Sequence, residues 1–243
     1  MLEISKFNKI IVANWKLNGS FDFIQSYFTY INSIDLKKDV CGIICSPFVY
    51  LDVCNKQSKS IYIGAQDCSN FKSGAFTGDI SALMLRNINS QFCLVGHSER
   101  RVFFNQKNED VRIKANNLLD VGINPIVCIG ETLDEKERGK TEEVLKKQII
   151  ESIPQGSSNN SIIIAYESIW AIGTGLTPKI QDIDKIHTFL KKGIKNYKNF
   201  KILYGGSVKS SNAEEIMSLE NVDGLLVGGS SLDPVEFSKI LQA

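Results

Sequence analysis

The stretch "IIIAYESIWAIGTGLTP", Ile162 to Pro178, runs an apolar β-branched segment into a carboxylate, Glu167. Trp170 follows, and Gly173 and Gly175 then keep the backbone loose. The run before Glu167 reads as a buried strand, so an acid at its end asks for a reason. The rest of the chain supplies it.

Seven other short runs resemble this one: "KIIVANW" (9–15), "VCGIICS" (40–46), "SIYIGA" (60–65), "QFCLVG" (91–96), "INPIVCIG" (123–130), "FKILYGG" (200–206) and "VDGLLVGG" (222–229). With "SIIIAY" (161–166) they make eight. None alternates cleanly between apolar and polar residues, so both faces of each are covered, as in parallel strands. Helical periodicity fills the gaps. "NEDVRIKANNLLDVG" sets Val111, Ala115, Leu118 and Leu119 on one side and stops at Gly122. "DEKERGKTEEVLKKQIIESI" sets Val144, Leu145, Gln148 and Ile149 on one stripe, and "DIDKIHTFLKKGIKNY" does the same with Ile183, Ile186, Phe189, Leu190 and Ile194. Strand, helix, strand, helix, eight times over, predicts a (β/α)8 barrel forming a single α/β domain across residues 1–243. A doubly wound open sheet is the alternative, but the G-x-G-x-x-G fingerprint is missing after the first strand. The polar "QGSSNNS" (155–161) reads as a loop before the sixth strand, not a domain boundary.

Bulk properties narrow the function. The formal net charge of +1 argues against a nucleic-acid partner or an anionic membrane surface, both of which need a basic excess. No signal peptide opens the chain, and no apolar run approaches a membrane span, so a cytoplasmic protein is expected. Six cysteines in a chain of this length without a secretory signal do not predict disulfides. Cys45, Cys93 and Cys128 read as small buried hydrophobes. Cys41 and Cys45 have no second Cys or His pair to complete a zinc set, so neither a metal nor a cofactor is expected.

Barrel chemistry sits at the C-terminal ends of the strands. The first strand ends in Asn14-Trp15-Lys16, where alternation sends Asn14 and Lys16 the same way. Lys16 reads equally as a ligand for a phosphate or oxyanion and as a solvated loop lysine. His97 stands where the fourth strand hands over to a short helix. A helix N-terminus disfavours imidazolium, so His97 reads either as a neutral donor or as a satisfied structural histidine. His187, mid-helix, is given no role. Glu167 ends the sixth strand. Burial at the barrel mouth would raise its pKa toward that of a general base, and a salt-bridged structural acid is the other reading. Glycines follow in the loop 168–178, at Gly205-Gly206 before Ser207, and at Gly228-Gly229. Three glycine-bearing loops on neighbouring strands point to a phosphate cradle. A base, a neutral donor, a lysine and a cradle suit proton abstraction next to the carbonyl of a small phosphorylated substrate.

The segments "ANWKLNG", "GAFTGD", "VGHSERR", "VCIGET", "AYESIWAIGTG", "YGGSV" and "GLLVGGSSL" together resemble the triosephosphate isomerase family, in its order and spacing, from residue 13 to 232. The resemblance implies the TIM-barrel fold and a cofactor-free interconversion of dihydroxyacetone phosphate and D-glyceraldehyde 3-phosphate in glycolysis and gluconeogenesis. It implies Glu167 as base, His97 as neutral electrophile, and Lys16 as the positive charge beside the polar Asn14. Glu99 would be a second acid of the site. Gly173, Ser207, Gly228 and Gly229 would hold the phosphate under a lid formed by 168–178, latched by Tyr204 and Ser207. The loop 74–79 would reach a second subunit, with Thr77 near the partner subunit's Asn14 and Glu99, which implies a homodimer. Cys128 matches a family cysteine that packs near the base. Two departures stand out. Ser168 occupies a position where relatives commonly carry Pro, and the lid's far hinge reads Leu176-Thr177-Pro178 where many carry Lys-Thr-Ala.

Overall fold

The computed structural model describes residues 1–157, 161–171, 178–193 and 200–243. Gly173, Leu176, Thr177 and Ile194 lie outside the described residues. Eight strands form a closed parallel barrel in sequence order. They are β1 (Lys9–Asn14), β2 (Val40–Cys45), β3 (Tyr62–Ala65), β4 (Phe92–Val95), β5 (Asn124–Ile129), β6 (Ile163–Tyr166), β7 (Lys201–Tyr204) and β8 (Gly224–Val227). Pairing of Ile10 with Gly224 and Ala13 with Val227 shuts the barrel. All eight predicted runs contain these strands.

The helices follow the strands. They are α1 (Phe21–Ile31), α2 (Leu51–Gln57), α3 (Ala82–Asn87), α4 (Ser98–Phe103), α5 (Asn108–Asp120), α6 (Leu133–Glu137), α7 (Thr141–Ser152), α8 (Ile180–Thr188), α9 (Ser210–Met217) and α10 (Pro234–Gln242). α5 stops as anticipated, with Gly122 in the left-handed region just past its end (φ 79°). The 134–153 stretch departs from the single helix its composition suggests. Thr132 caps α6 and receives Glu135 in return, and Gly139 at φ 68° then turns the chain into α7. α8 runs directly into a π-helical turn, Phe189–Gly193.

Two apolar layers explain the continuous runs. Ile10, Val12, Ile43, Phe92, Leu94, Ile126, Cys128, Ile163 and Ala165 fill the barrel interior. Their neighbours Ile11, Ala13, Ile44, Cys93, Val127 and Ile164 point outward and pack with helix residues such as Tyr27, Phe28, Leu118 and Ile149. Each strand is therefore buried on both faces. All six cysteines are buried and free. No helix among the described residues is long and apolar enough to cross a membrane.

Candidate active site

Strand alternation aims the acid. Ile163 and Ala165 face the barrel interior and Ile164 and Tyr166 face the helices, so Glu167 falls on the inward side just past the end of β6. Its N–H donates to the Ile129 carbonyl at 2.7 Å, and the Gly205 N–H donates to the Tyr166 carbonyl at 2.7 Å. The flanking strand ends thus hold its main chain from both sides. Gly130 is required here, because a Cβ at that position would stand 2.1 Å from the Glu167 carbonyl oxygen. Gln148 of α7 clamps Gly130 in turn, accepting its N–H at 2.8 Å and donating to its carbonyl at 2.9 Å.

The Glu167 side chain is buried. Its Oε1 lies 2.8 Å from His97 Nε2, and its Oε2 accepts the Ser98 N–H at 2.9 Å. Ser98 opens α4, so the helix end offers an orphan donor to the carboxylate. His97 Nδ1 accepts the Glu99 N–H at 3.2 Å, which assigns the ring proton to Nε2, facing Glu167. The helix-end argument alone predicts a lowered His97 pKa, and here the structure corrects it. Burial does pull the value down, but the Glu167 charge and hydrogen bond, with Glu99 behind them, outweigh it and leave His97 above the usual imidazole value. The carboxylate that reverses the sign lies 70 residues away in the chain, beyond the reach of local sequence argument.

Lys16 has a left-handed backbone (φ 52°), a conformation that costs a non-glycine residue about 1–3 kcal/mol. The surroundings hold it there. Its N–H donates to Asn14 Oδ1 at 3.1 Å, and Gln66 Nε2 donates to both the Lys16 carbonyl (2.9 Å) and the Cys45 carbonyl (3.0 Å). Lys16 Nζ reaches Glu99 Oε1 at 2.6 Å.

Asn14, Lys16, His97, Glu167, Ser207, Gly228 and Gly229 all line one cleft of about 380 Å³ at the barrel mouth. Lys209 lines it too. The other expected residues stand elsewhere. Glu99 lies behind Lys16, outside the cleft lining. Thr77 is exposed on its loop. Tyr204 is buried in the outer layer, its ring beside those of His187 and Tyr166. Ser207 Oγ donates to the Ala171 carbonyl at 2.9 Å, tying β7's loop to the last described residue before the glycines. Sequence reasoning missed Ser98, Gln66, Gln148 and Lys209. Lys209 carried a legible signal, a cation three residues beyond the Gly205-Gly206 pair at a strand end. The others act through main-chain donors or amide contacts that appear only on folding. Two larger clefts, about 440 and 400 Å³, lie beside Glu131 and beside Asp67. Neither contains the histidine–carboxylate pair.

A histidine–carboxylate pair beside a glycine-rich rim, at the C-terminal mouth of a closed parallel barrel, defines a (β/α)8-barrel enzyme. The family model for triosephosphate isomerase matches residues 9–243. The triosephosphate isomerase of Francisella tularensis subsp. mediasiatica is 39% identical over 242 residues, covering 96% of each chain. That of Bradyrhizobium diazoefficiens is 40% identical over 239 residues, covering 95% of each. The crystal structure of triosephosphate isomerase from Bartonella henselae superposes with a TM-score of 0.86 at 32% identity, over 96% of this chain and 98% of that one. The chain belongs to the triosephosphate isomerase family.

Proposed function

We propose that this protein interconverts dihydroxyacetone phosphate and D-glyceraldehyde 3-phosphate by proton transfer through an enediolate, without a cofactor. The observation that carries the reading is the 2.8 Å pairing of Glu167 Oε1 with His97 Nε2 inside a cleft also lined by Lys16. A substrate carbonyl that displaces this contact and parts the pair meets a carboxylate on one side and an N–H donor on the other. Glu167 removes the proton from the carbon beside the carbonyl, and His97 Nε2–H donates to the oxygen that gains charge. Glu167 then returns the proton to the neighbouring carbon while His97 serves the second oxygen. With substrate interposed, the Glu167–His97 hydrogen bond is replaced and the carboxylate raises the His97 pKa less. Burial and the Lys16 charge favour the neutral ring against the Glu99 carboxylate, and the Glu99 N–H bond to Nδ1 leaves the ring proton on Nε2, ready to donate.

Lys16 and Asn14 balance the developing negative charge, with Glu99 orienting the lysine. Gly173, Ser207, Gly228 and Gly229 take the phosphate, with Lys209 on the same rim. Residues 168–178 close over the intermediate, secured by Tyr204 and Ser207, and exclude water that would otherwise promote phosphate loss. The protein works in the cytoplasm, in glycolysis and gluconeogenesis, as a homodimer in which Thr77 approaches the neighbouring site. An apolar surface supports the dimer, with Phe48, Phe71 and Phe104 all exposed along one cleft.

A coupled assay with each triose phosphate tests the reaction. Turnover is expected in both directions, and Glu167→Gln should lower kcat by about 10²–10⁴-fold. Unchanged turnover in that variant would overturn the assigned base.

A further inference from the structure

We infer that Ser168 is a positioning residue for Glu167, acting through a buried chain of hydroxyls that ends on Glu131; the catalytic part of this inference rests on the proposed function. Ser168 Oγ–H donates to Tyr166 Oη at 3.2 Å, and Tyr166 Oη–H donates to Glu131 Oε1 at 3.1 Å. Trp170 Nε1–H donates to the same carboxylate oxygen at 2.9 Å. Alternation explains the arrangement. Glu167 faces inward, so Tyr166 and Ser168 on either side of it both face the helix layer, where they meet. The residues immediately before and after the base are therefore tied to each other and to one fixed acid.

That acid belongs to the segment that already holds the base. Ile129 supplies the carbonyl for the Glu167 N–H, and Gly130 supplies the space for the Glu167 carbonyl. Glu131 adds the end of the hydroxyl chain. Three consecutive residues thus hold Glu167 through main chain, shape and side chain. Ser168 also anchors the turn after it, its carbonyl accepting the Ala171 N–H at 2.8 Å. Tyr166, Ser168 and Glu131 are all buried, on the wall of the cleft beside Glu131. A proline at 168 would restrain the chain through its ring. A serine leaves φ free, and here the hydroxyl chain supplies the restraint instead.

Two readouts test this, one independent of activity. The chain has two tryptophans. Trp170 donates to the same Glu131 oxygen on which the hydroxyl chain ends, while Trp15 packs against Phe23 and Tyr27 and serves as an internal control. In ¹⁵N-indole spectra of the full protein, Ser168→Ala and Tyr166→Phe should each move the Trp170 N–H resonance and leave Trp15 in place. Ser168→Thr, which keeps the hydroxyl, should restore the native position. In the coupled assay, Ser168→Ala should lower kcat by about 3- to 10-fold, as expected for one neutral hydrogen bond, with KM changed less than about twofold and Ser168→Thr rescuing kcat. The double variant should be no worse than the poorer single one, because both break the same chain. An unmoved Trp170 resonance in Ser168→Ala overturns the chain itself. A moved resonance with unchanged kcat, or with a loss confined to KM, overturns the positioning role. A native protein with no isomerase turnover overturns the proposed function and the positioning role together, while the indole shift separately reports whether the chain exists.

Discussion

A methyl group at position 130 would stand 2.1 Å from the carbonyl oxygen of Glu167, and no rotamer relieves a clash between two backbones. Gly130→Ala therefore has to displace either β5's end or Glu167 itself. Displacement of a reacting group by about 1 Å can reduce rate on the order of 10²-fold, and overpacking at such a contact costs about 1–3 kcal/mol. Both effects are expected together, in kcat and in urea unfolding. A kcat within about twofold of native would mean that Gly130 does not set the position of Glu167. Lys16 presents the complementary case. Its left-handed backbone stores strain, and Gln66 and Asn14 hold it by contacts to its main chain. The "ANWK" segment identifies the lysine but carries no sign of its backbone conformation, because the restraining amide arrives from β3's loop, 50 residues on.

At the scale of elements, α8 packs against β6 and β7 through a histidine that the function does not use. His187 is fully buried, its ring beside Tyr166 and Tyr204 (centroids 6.0 and 6.3 Å) and its Nδ1 3.2 Å from the Asn221 carbonyl. Its Nε2 has no partner among the described residues. Burial lowers its pKa to about 4; Asn221 and Asp223 pull the other way and Lys191 adds to the depression. The unfolded chain binds a proton at His187 below about 6.5, while the folded protein does not do so until about 4. Stability from this group is therefore fully present above pH 6.5 and falls as pH drops toward 4, by about 3 kcal/mol. Urea unfolding of native protein and His187→Gln at several pH values isolates the effect, since the other titrating groups cancel in the difference. The native protein should lose stability more steeply over this window. Parallel curves would show that His187 is not held neutral.

At the scale of the whole molecule, the barrel leaves apolar side chains on its surface. Phe71 and Phe76 stack at 3.5 Å, Phe71 shares a cleft with Phe48 and Phe104, and Phe103 is 75% exposed. A second copy covering this face should give a sedimenting mass twice the 27.1 kDa of one chain. Phe104→Asp is the cleaner probe, because Phe104 lines that cleft and is 63% exposed, so it contributes little to the folded monomer. It should shift the equilibrium toward monomer and reduce turnover with it. A native protein that sediments as a monomer at micromolar concentration would remove the proposed interface. The sequence by itself determined the eight strands, their burial on both faces and the strand ends that carry Asn14, Lys16, His97 and Glu167. Those features arise from periodicity and composition, which act within a few residues. Family resemblance added the roles. Only the tertiary structure decided how those ends meet: that the His97 pKa is raised rather than lowered, that Gly130 makes room for Glu167, and that Ser168 reaches Glu131 through Tyr166. Each depends on atoms brought within about 3 Å by barrel closure, at separations of tens of residues, where hydrogen bonds and charge act and local patterns carry no information.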